Sequence, residues 1–187
     1  MKKILLVAVM VLTSAMTFAQ QKEGTLTIQP KVGLNIASLT DYDDSDPRFG
    51  VVAGAEFMYQ ATDMVGLSFG ALYSMQGAKY DKSTTKLDYI NIPILANVYV
   101  APGFAVKLGL QPGFNVNSKF KTKINGNSLE ADTDAKTVDL SIPIGLSYEF
   151  DNFVIDGRYN WGVTKVAKNS DCKNSVFQIT LGYKLPL

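Results

Sequence analysis

The chain has 187 residues, a formal charge of +1, one cysteine and no histidine. That length fits one domain rather than two, and the near-neutral balance argues against nucleic acid, which calls for a strongly basic surface. Without histidine the commonest general base is missing, and no HExxH, paired-cysteine zinc spacing, Walker loop or nucleophile elbow is present.

Residues 1–19 read as a secretory signal. Lys2 and Lys3 make a positive start, Ile4 to Leu12 a short apolar core, and Thr17 and Ala19 precede a cut after Ala19. The run is too short for a spanning helix, and no later segment has eighteen consecutive apolar residues. Its removal takes away two lysines, moves the formal charge from +1 to −1 and leaves residues 20–187 as a barrel domain.

The next elements alternate apolar and polar residues with period two, the signature of strands with one oily and one wet face. In the first, Leu26 to Ser38, Leu26, Ile28, Val32, Leu34 and Ile36 oppose Thr27, Gln29, Lys31, Gly33 and Asn35. The second, Phe49 to Ala61, turns at Thr62-Asp63-Met64 into the third, Val65 to Ser74. The fourth, Ile90 to Val100, turns at Ala101-Pro102-Gly103 into the fifth, Phe104 to Asn115. The sixth, Val138 to Phe150, turns at Asp151-Asn152 into the seventh, Phe153 to Thr164, and the eighth runs from Phe177 to Leu185. Connections around Asp43, Lys82, Gly126 and Cys172 are longer. An even strand count with short turns at one end and long loops at the other is the layout of outer-membrane barrels. Pro30, Pro93, Pro112 and Pro143 each remove a ladder donor, so bulges or ladder breaks are expected there.

Side-chain volume decides which face points inward. The wet face is rich in glycine and serine and the oily face is bulky. An eight-stranded barrel has an interior only just wide enough for side chains, so the oily face is expected to meet lipid. Phe49 and Phe57, and likewise Phe153 and Trp161, lie eight residues apart on that face. At a rise of ~3.3 Å per residue and a tilt of about 40° they span on the order of 20 Å, near the height of a lipid-facing band between aromatic girdles. The wet face carries Lys31, Lys107, Arg158 and Lys184 with Glu56, Asp139, Glu149 and Asp156, a set whose balanced signs predict a plugged, salt-bridged lumen.

The passages Asp88-Tyr-Ile-Asn-Ile-Pro-Ile-Leu95, Gly109-Leu-Gln-Pro-Gly113, Gly145-Leu-Ser-Tyr-Glu-Phe150 and Arg158-Tyr-Asn-Trp-Gly162 resemble the small outer-membrane β-barrel family of Bacteroidetes, the "porin family" or OmpX/OmpA-like proteins. The likeness covers essentially the whole mature chain and specifies barrel geometry, with no catalytic signature. The end, with Thr180, Gly182, Leu185 and Leu187, also looks like the signal read by the barrel-assembly machinery, although the chain ends in Leu187 where an aromatic is common and Pro186 is unusual there.

Three further segments bear on function. Asp41, Asp43, Asp44 and Asp46 form an acidic first loop with oxygen ligands for Ca²⁺ or for cations bridging to lipopolysaccharide, but it lacks the glycine and distal glutamate of an EF-hand and reads as a solvated loop. Asn125-Gly126 signals a type I′ hairpin that would set Lys121 opposite Glu130 and Lys119 opposite Asp132, so that the fifth and sixth strands project as a ribbon. Cys172, among Asn169, Ser170, Asp171, Lys173 and Asn174, reads as an incidental thiol in a loop.

The expected fold is all-β, an eight-stranded antiparallel up-and-down transmembrane β-barrel in the outer membrane of a Gram-negative envelope. The expected role is structural or surface-interacting, with a narrow channel for ions or very small solutes second, a soluble lipocalin-like ligand-binding barrel third and a histidine-free enzyme last. The expected partners are outer-membrane lipid and lipopolysaccharide, the barrel-assembly machinery and an extracellular partner at the 119–134 loop, for a monomer without nucleic acid. No catalytic, metal-binding or cofactor-binding residue is assigned.

Overall fold

The computed structural model describes residues 22–40, 46–80, 83–124, 127–132, 135–166 and 171–187. The signal segment, Asp41, Asp43 and Asp44 of the acidic loop, and the Asn125-Gly126 turn lie outside them. The strands are β1 (Leu26–Leu39), β2 (Asp46–Gln60), β3 (Val65–Tyr80), β4 (Ser83–Asn91), β5 (Ile94–Ala101), β6 (Phe104–Ile124), β7 (Asn127–Asp132), β8 (Val138–Phe150), β9 (Phe153–Gly162), β10 (Asn174–Tyr183) and β11 (Leu185–Pro186). Every pairing is antiparallel, and β1 pairs with β10, which closes the sheet into an eight-stranded barrel. β4 and β5 are halves of one wall strand interrupted at Ile92-Pro93, β10 and β11 are halves of another interrupted at Lys184, and β7 returns along β6 before the chain enters β8.

Alternation along each strand sends polar residues inward and bulky apolar ones outward. On β1, Gln29 and Lys31 are buried while Val32 and Leu34 are 56% and 59% exposed. The orientation expected from side-chain volume is the one observed, because only small and polar residues fit so narrow an interior.

Pro30, Pro93, Pro112 and Pro143 leave the register unshifted, and the ladders break beside them. The ladder from β1 to β10 and β11 skips Gln29 and Pro30 between Ile28↔Leu185 and Lys31↔Gly182. The β6–β8 ladder skips Gly109 and Leu110, opposite Ile142 and Pro143 and just before Pro112. At Pro93 the strand itself stops, and the freed groups are stitched by Gly70 N–H donating to the Pro93 carbonyl (3.2 Å) and Ile92 N–H to that of Pro112 (2.8 Å). The register shifts lie elsewhere, between Pro47 and Val52 on β2, at Asp88/Tyr89 where β4 meets β6, and near Tyr99 where β5 meets β6.

The loop end differs from expectation. No long loop surrounds Lys82, because β3 and β4 stay paired up to Tyr80↔Ser83. β4 stays paired with β6 up to Ser83↔Thr122, and β6 pairs with β7 in the expected register, Lys119↔Asp132 and Lys121↔Glu130. The projecting ribbon is therefore one side of a four-stranded flap, with β4 covering the β6 edge. Beneath it, inward-facing Leu39, Ala78, Leu87 and Tyr89 pack with Val166 and Cys172 in an apolar cap over that end of the lumen.

Candidate functional site

The middle of the lumen is crossed by five charged side chains from four strands that converge because each occupies an inward position. Lys31 Nζ lies 2.5 Å from Glu56 and 3.5 Å from Asp156. Lys107 Nζ lies 2.5 Å from Asp156. Arg158 lies 2.9 Å from Glu56 and 2.8 Å from Asp156, and its Nε also donates to Asp156 at 2.8 Å. All five are essentially inaccessible to solvent. Charges this deep are tolerable only when paired and hydrogen-bonded, and here three cations enclose two carboxylates. Glycines leave room for them: a Cβ on Gly145 would come within 2.7 Å of Arg158 Cβ, and one on Gly70 within 2.9 Å of Glu56 Cγ.

The remaining wet-face charges sit apart from this cluster. Toward the short turns, Glu149 accepts from Tyr99 Oη (2.7 Å) and pairs with Lys184 (2.8 Å). Toward the loops, Asp139 accepts from Thr164 Oγ1 (2.5 Å) and Asn174 Nδ2 (2.8 Å). Glu149, paired with Lys184, and Asp156, held by Lys31, Lys107 and Arg158, thus belong to different clusters and do not form the facing carboxylates that glycosidic chemistry needs.

Between the central cluster and the apolar cap the lumen is lined with amides. Asn35 on β1 donates to Ser74 on β3 (2.8 Å), past the intervening β2, and Gln111 donates to Ser141, its ladder neighbour on β8 (3.3 Å). Both amide atoms of Asn160 and Gln178, and Nδ2 of Asn91, are buried with no hydrogen-bond partner among the described residues. Buried amides in that condition are normally hydrated.

Two sequence expectations take definite positions. Cys172 lies in the connection before β10, as expected, but its thiol is buried in the cap rather than displayed. The backbone there is tied down by Val166 N–H donating to the Cys172 carbonyl (2.9 Å) and Thr40 N–H to that of Lys173 (3.0 Å). Nearby, the Lys165 ammonium beside exposed Asp171 holds that carboxyl below its usual range. Asp46, the described member of the acidic loop, opens β2 opposite Lys79.

A polar node at the β4–β6 bulge has no counterpart in the sequence reading. Asp88 accepts from Tyr73 Oη (3.1 Å) and Asn117 Nδ2 (2.8 Å), with Arg48 Nη1 at 3.6 Å. Asp88 belongs to the Asp88–Leu95 passage, so the signal was present as a family likeness without a role. The pairing arises only because the bulge at Val116 brings Asn117 level with Asp88.

Comparison with known proteins agrees with this geometry. Among solved structures, the Yersinia pestis attachment invasion locus protein Ail is 18% identical, with a TM-score of 0.53, over 87% of this chain and 99% of that one. Ail in complex with the heparin analogue sucrose octasulfate gives 0.56 over the same shares. Neisserial surface protein A is 18% identical with a TM-score of 0.56, over 87% of this chain and 100% of that one. These likenesses share the fold. No curated protein matches the sequence. Residues 18–168 match the outer membrane protein beta-barrel domain. The chain belongs to that family of outer-membrane β-barrels.

Proposed function

We propose that this is an exported protein of a Gram-negative envelope whose work is done at the cell surface, by the loop-end flap, rather than through the barrel. The observation that carries this reading is the crossed lumen: Arg158 and Lys107 reach carboxylates on strands they do not pair with, which obstructs the path a solute would take. What remains available to a partner is the loop end. There β7 pairs with β6, and its other edge carries no strand among the described residues, so an extended peptide has backbone groups to pair with. Ail, an attachment protein by name and one solved with a heparin analogue, supports a surface role by analogy of fold.

In this reading residues 1–19 are a cleaved signal, residues 20–187 insert as a monomer through the barrel-assembly machinery, and the source belongs to the Bacteroidetes. The role needs no cofactor and no catalytic residue. Removing Lys121 to Glu130 and rejoining the strands should leave the heat-modifiable barrel intact, because lipid-facing strands carry insertion, while binding of cells to a host-matrix surface is lost. A shortened protein that mediates binding as well as the parent overturns this assignment. The second reading is a narrow channel, favoured by the unpartnered lumen amides of Asn160 and Gln178, which offer a hydrated path between the cap and the charge cluster.

A further inference from the structure

The buried charges of the described residues meet an opposite charge, with one exception. Lys31, Lys107 and Arg158 enclose Glu56 and Asp156, Lys184 pairs with Glu149, and Arg48 lies beside Asp88. Asp139 on β8 is 7% exposed, and no described lysine or arginine forms an ion pair with it. Its partners are neutral. Thr164 Oγ1 donates to Oδ1 (2.5 Å) and Asn174 Nδ2 to Oδ2 (2.8 Å). The Thr164 oxygen in turn accepts from Leu140 N–H (2.8 Å), which leaves its own hydrogen for Asp139. Two donors and so short an O–H···O contact are the surroundings of an ionised carboxylate. Burial opposes that charge, so it needs a cation that the described chain does not supply.

Further oxygens lie at the same end of the lumen. Asp139, Gly113 and Asn91 occupy one row across β8, β6 and β4. Asn91 Oδ1 lies 2.6 Å from where a Cβ on Gly113 would stand, so it leans over the strand that separates Asn91 from Asp139. The ring of Tyr89 lies 3.5 Å from the same point. Its buried Oη sits against the side chains of Asn174 and Asn115, near Asp139, and completes no hydrogen bond. Asn174 turns its Nδ2 to Asp139 and leaves Oδ1 buried without a hydrogen-bond partner. Two lone-pair positions remain on the carboxylate, which has about four and uses two.

We propose that Asp139, Asn91, Asn174 and Tyr89 form the site of one small monovalent cation of sodium size, held beneath the apolar cap. Oxygen ligands suit a hard cation. One carboxylate balances one positive charge, and no group of three charged or soft ligands that would hold a divalent metal is present among the described residues. The unpartnered oxygens are closed to solvent, which suits a bare ion and not an organic ammonium. The ion neutralises the charge that lies under Leu39, Leu87, Val166 and Cys172, and it ties β4 and β10 to β8 where the cap closes. The site is independent of whether the flap binds a partner.

The test is urea unfolding of the refolded protein in a neutral detergent, at fixed ionic strength, as sodium chloride replaces choline chloride. Above saturation, an ion held only by the folded state lowers the unfolding constant about tenfold for each tenfold rise in sodium. Asp139→Asn should abolish that response, and Asp171→Asn, an exposed carboxylate of the connection before β10, should keep it. The sodium NMR linewidth should broaden with the parent protein and not with Asp139→Asn. Heat-modifiability establishes that each variant is folded. If Asp139→Asn is not, Tyr89→Phe serves, and it should raise the sodium concentration at half-effect. Equal stability in sodium and choline, an undiminished response in Asp139→Asn, an unchanged half-effect in Tyr89→Phe, or a response to calcium with none to sodium would each overturn the proposal.

Discussion

Arg158 on β9 lies 2.9 Å from Glu56 on β2, although those strands share no ladder and are separated by β10 and β1. The contact spans the lumen, so the charge cluster acts as a crossbar as well as a set of pairs. Its composition predicts an asymmetry. Asp156 is held by three cations, so Asp156→Asn leaves three positive groups around one carboxylate and should cost about 3–5 kcal/mol. Arg158→Met leaves two cations with two carboxylates and should cost less. Urea unfolding from lipid vesicles gives the order, and a larger loss for Arg158→Met would contradict this view of the cluster.

Leu108 lies in the part of β6 that pairs with both β5 and β8, opposite Ala96 and Ile144, and is 54% exposed on the outer face. Leu108→Arg should lose about 2–4 kcal/mol if that position lies at the midplane of the bilayer. Vesicle unfolding reads this as well, and tolerance of arginine would mean the outer wall does not face hydrocarbon at that depth.

The wall strands were legible in the sequence because a one-sided apolar face leaves a period of two, as from Leu26 to Ile36. The charges that fill the lumen were legible as a set, since every wet-face position is inward. Their partners were not: Lys107 and Asp156 meet only because closure of the sheet fixes which strands face one another across the interior. The loop end was less legible still. There Ala78, Leu87 and Tyr89 are apolar and inward, packed on Val166 and Cys172 instead of facing the polar lumen, so the rule that oily means outward fails. Positive φ at Gly77 and the bulge beside Asp88 interrupt the pattern over the same stretch. Cys172 was read as an incidental loop thiol because its sequence neighbours are polar, while its spatial neighbours are not.

Two glycines on adjacent rungs of the β8–β9 ladder separate packing from propensity. A Cβ on Gly145 would press on the Gly157 carbonyl at 2.6 Å and on Arg158, whereas one on Gly157 would meet nothing within 4 Å. Gly145→Ala should therefore cost about 1–3 kcal/mol by overpacking beside the crossbar. Gly157→Ala should be neutral or slightly stabilising. Equal effects in urea titration would show that the clearance at Gly145 is not needed.

The central claim, that the barrel is closed along its axis by side chains joined across it, is tested most directly by planar-bilayer recording of the purified, folded protein. A lumen held by Lys31, Glu56, Lys107, Asp156 and Arg158 should pass negligible current at ordinary salt, because an eight-stranded interior is just filled by its own side chains. Large, stable openings of porin size in the parent protein would contradict it.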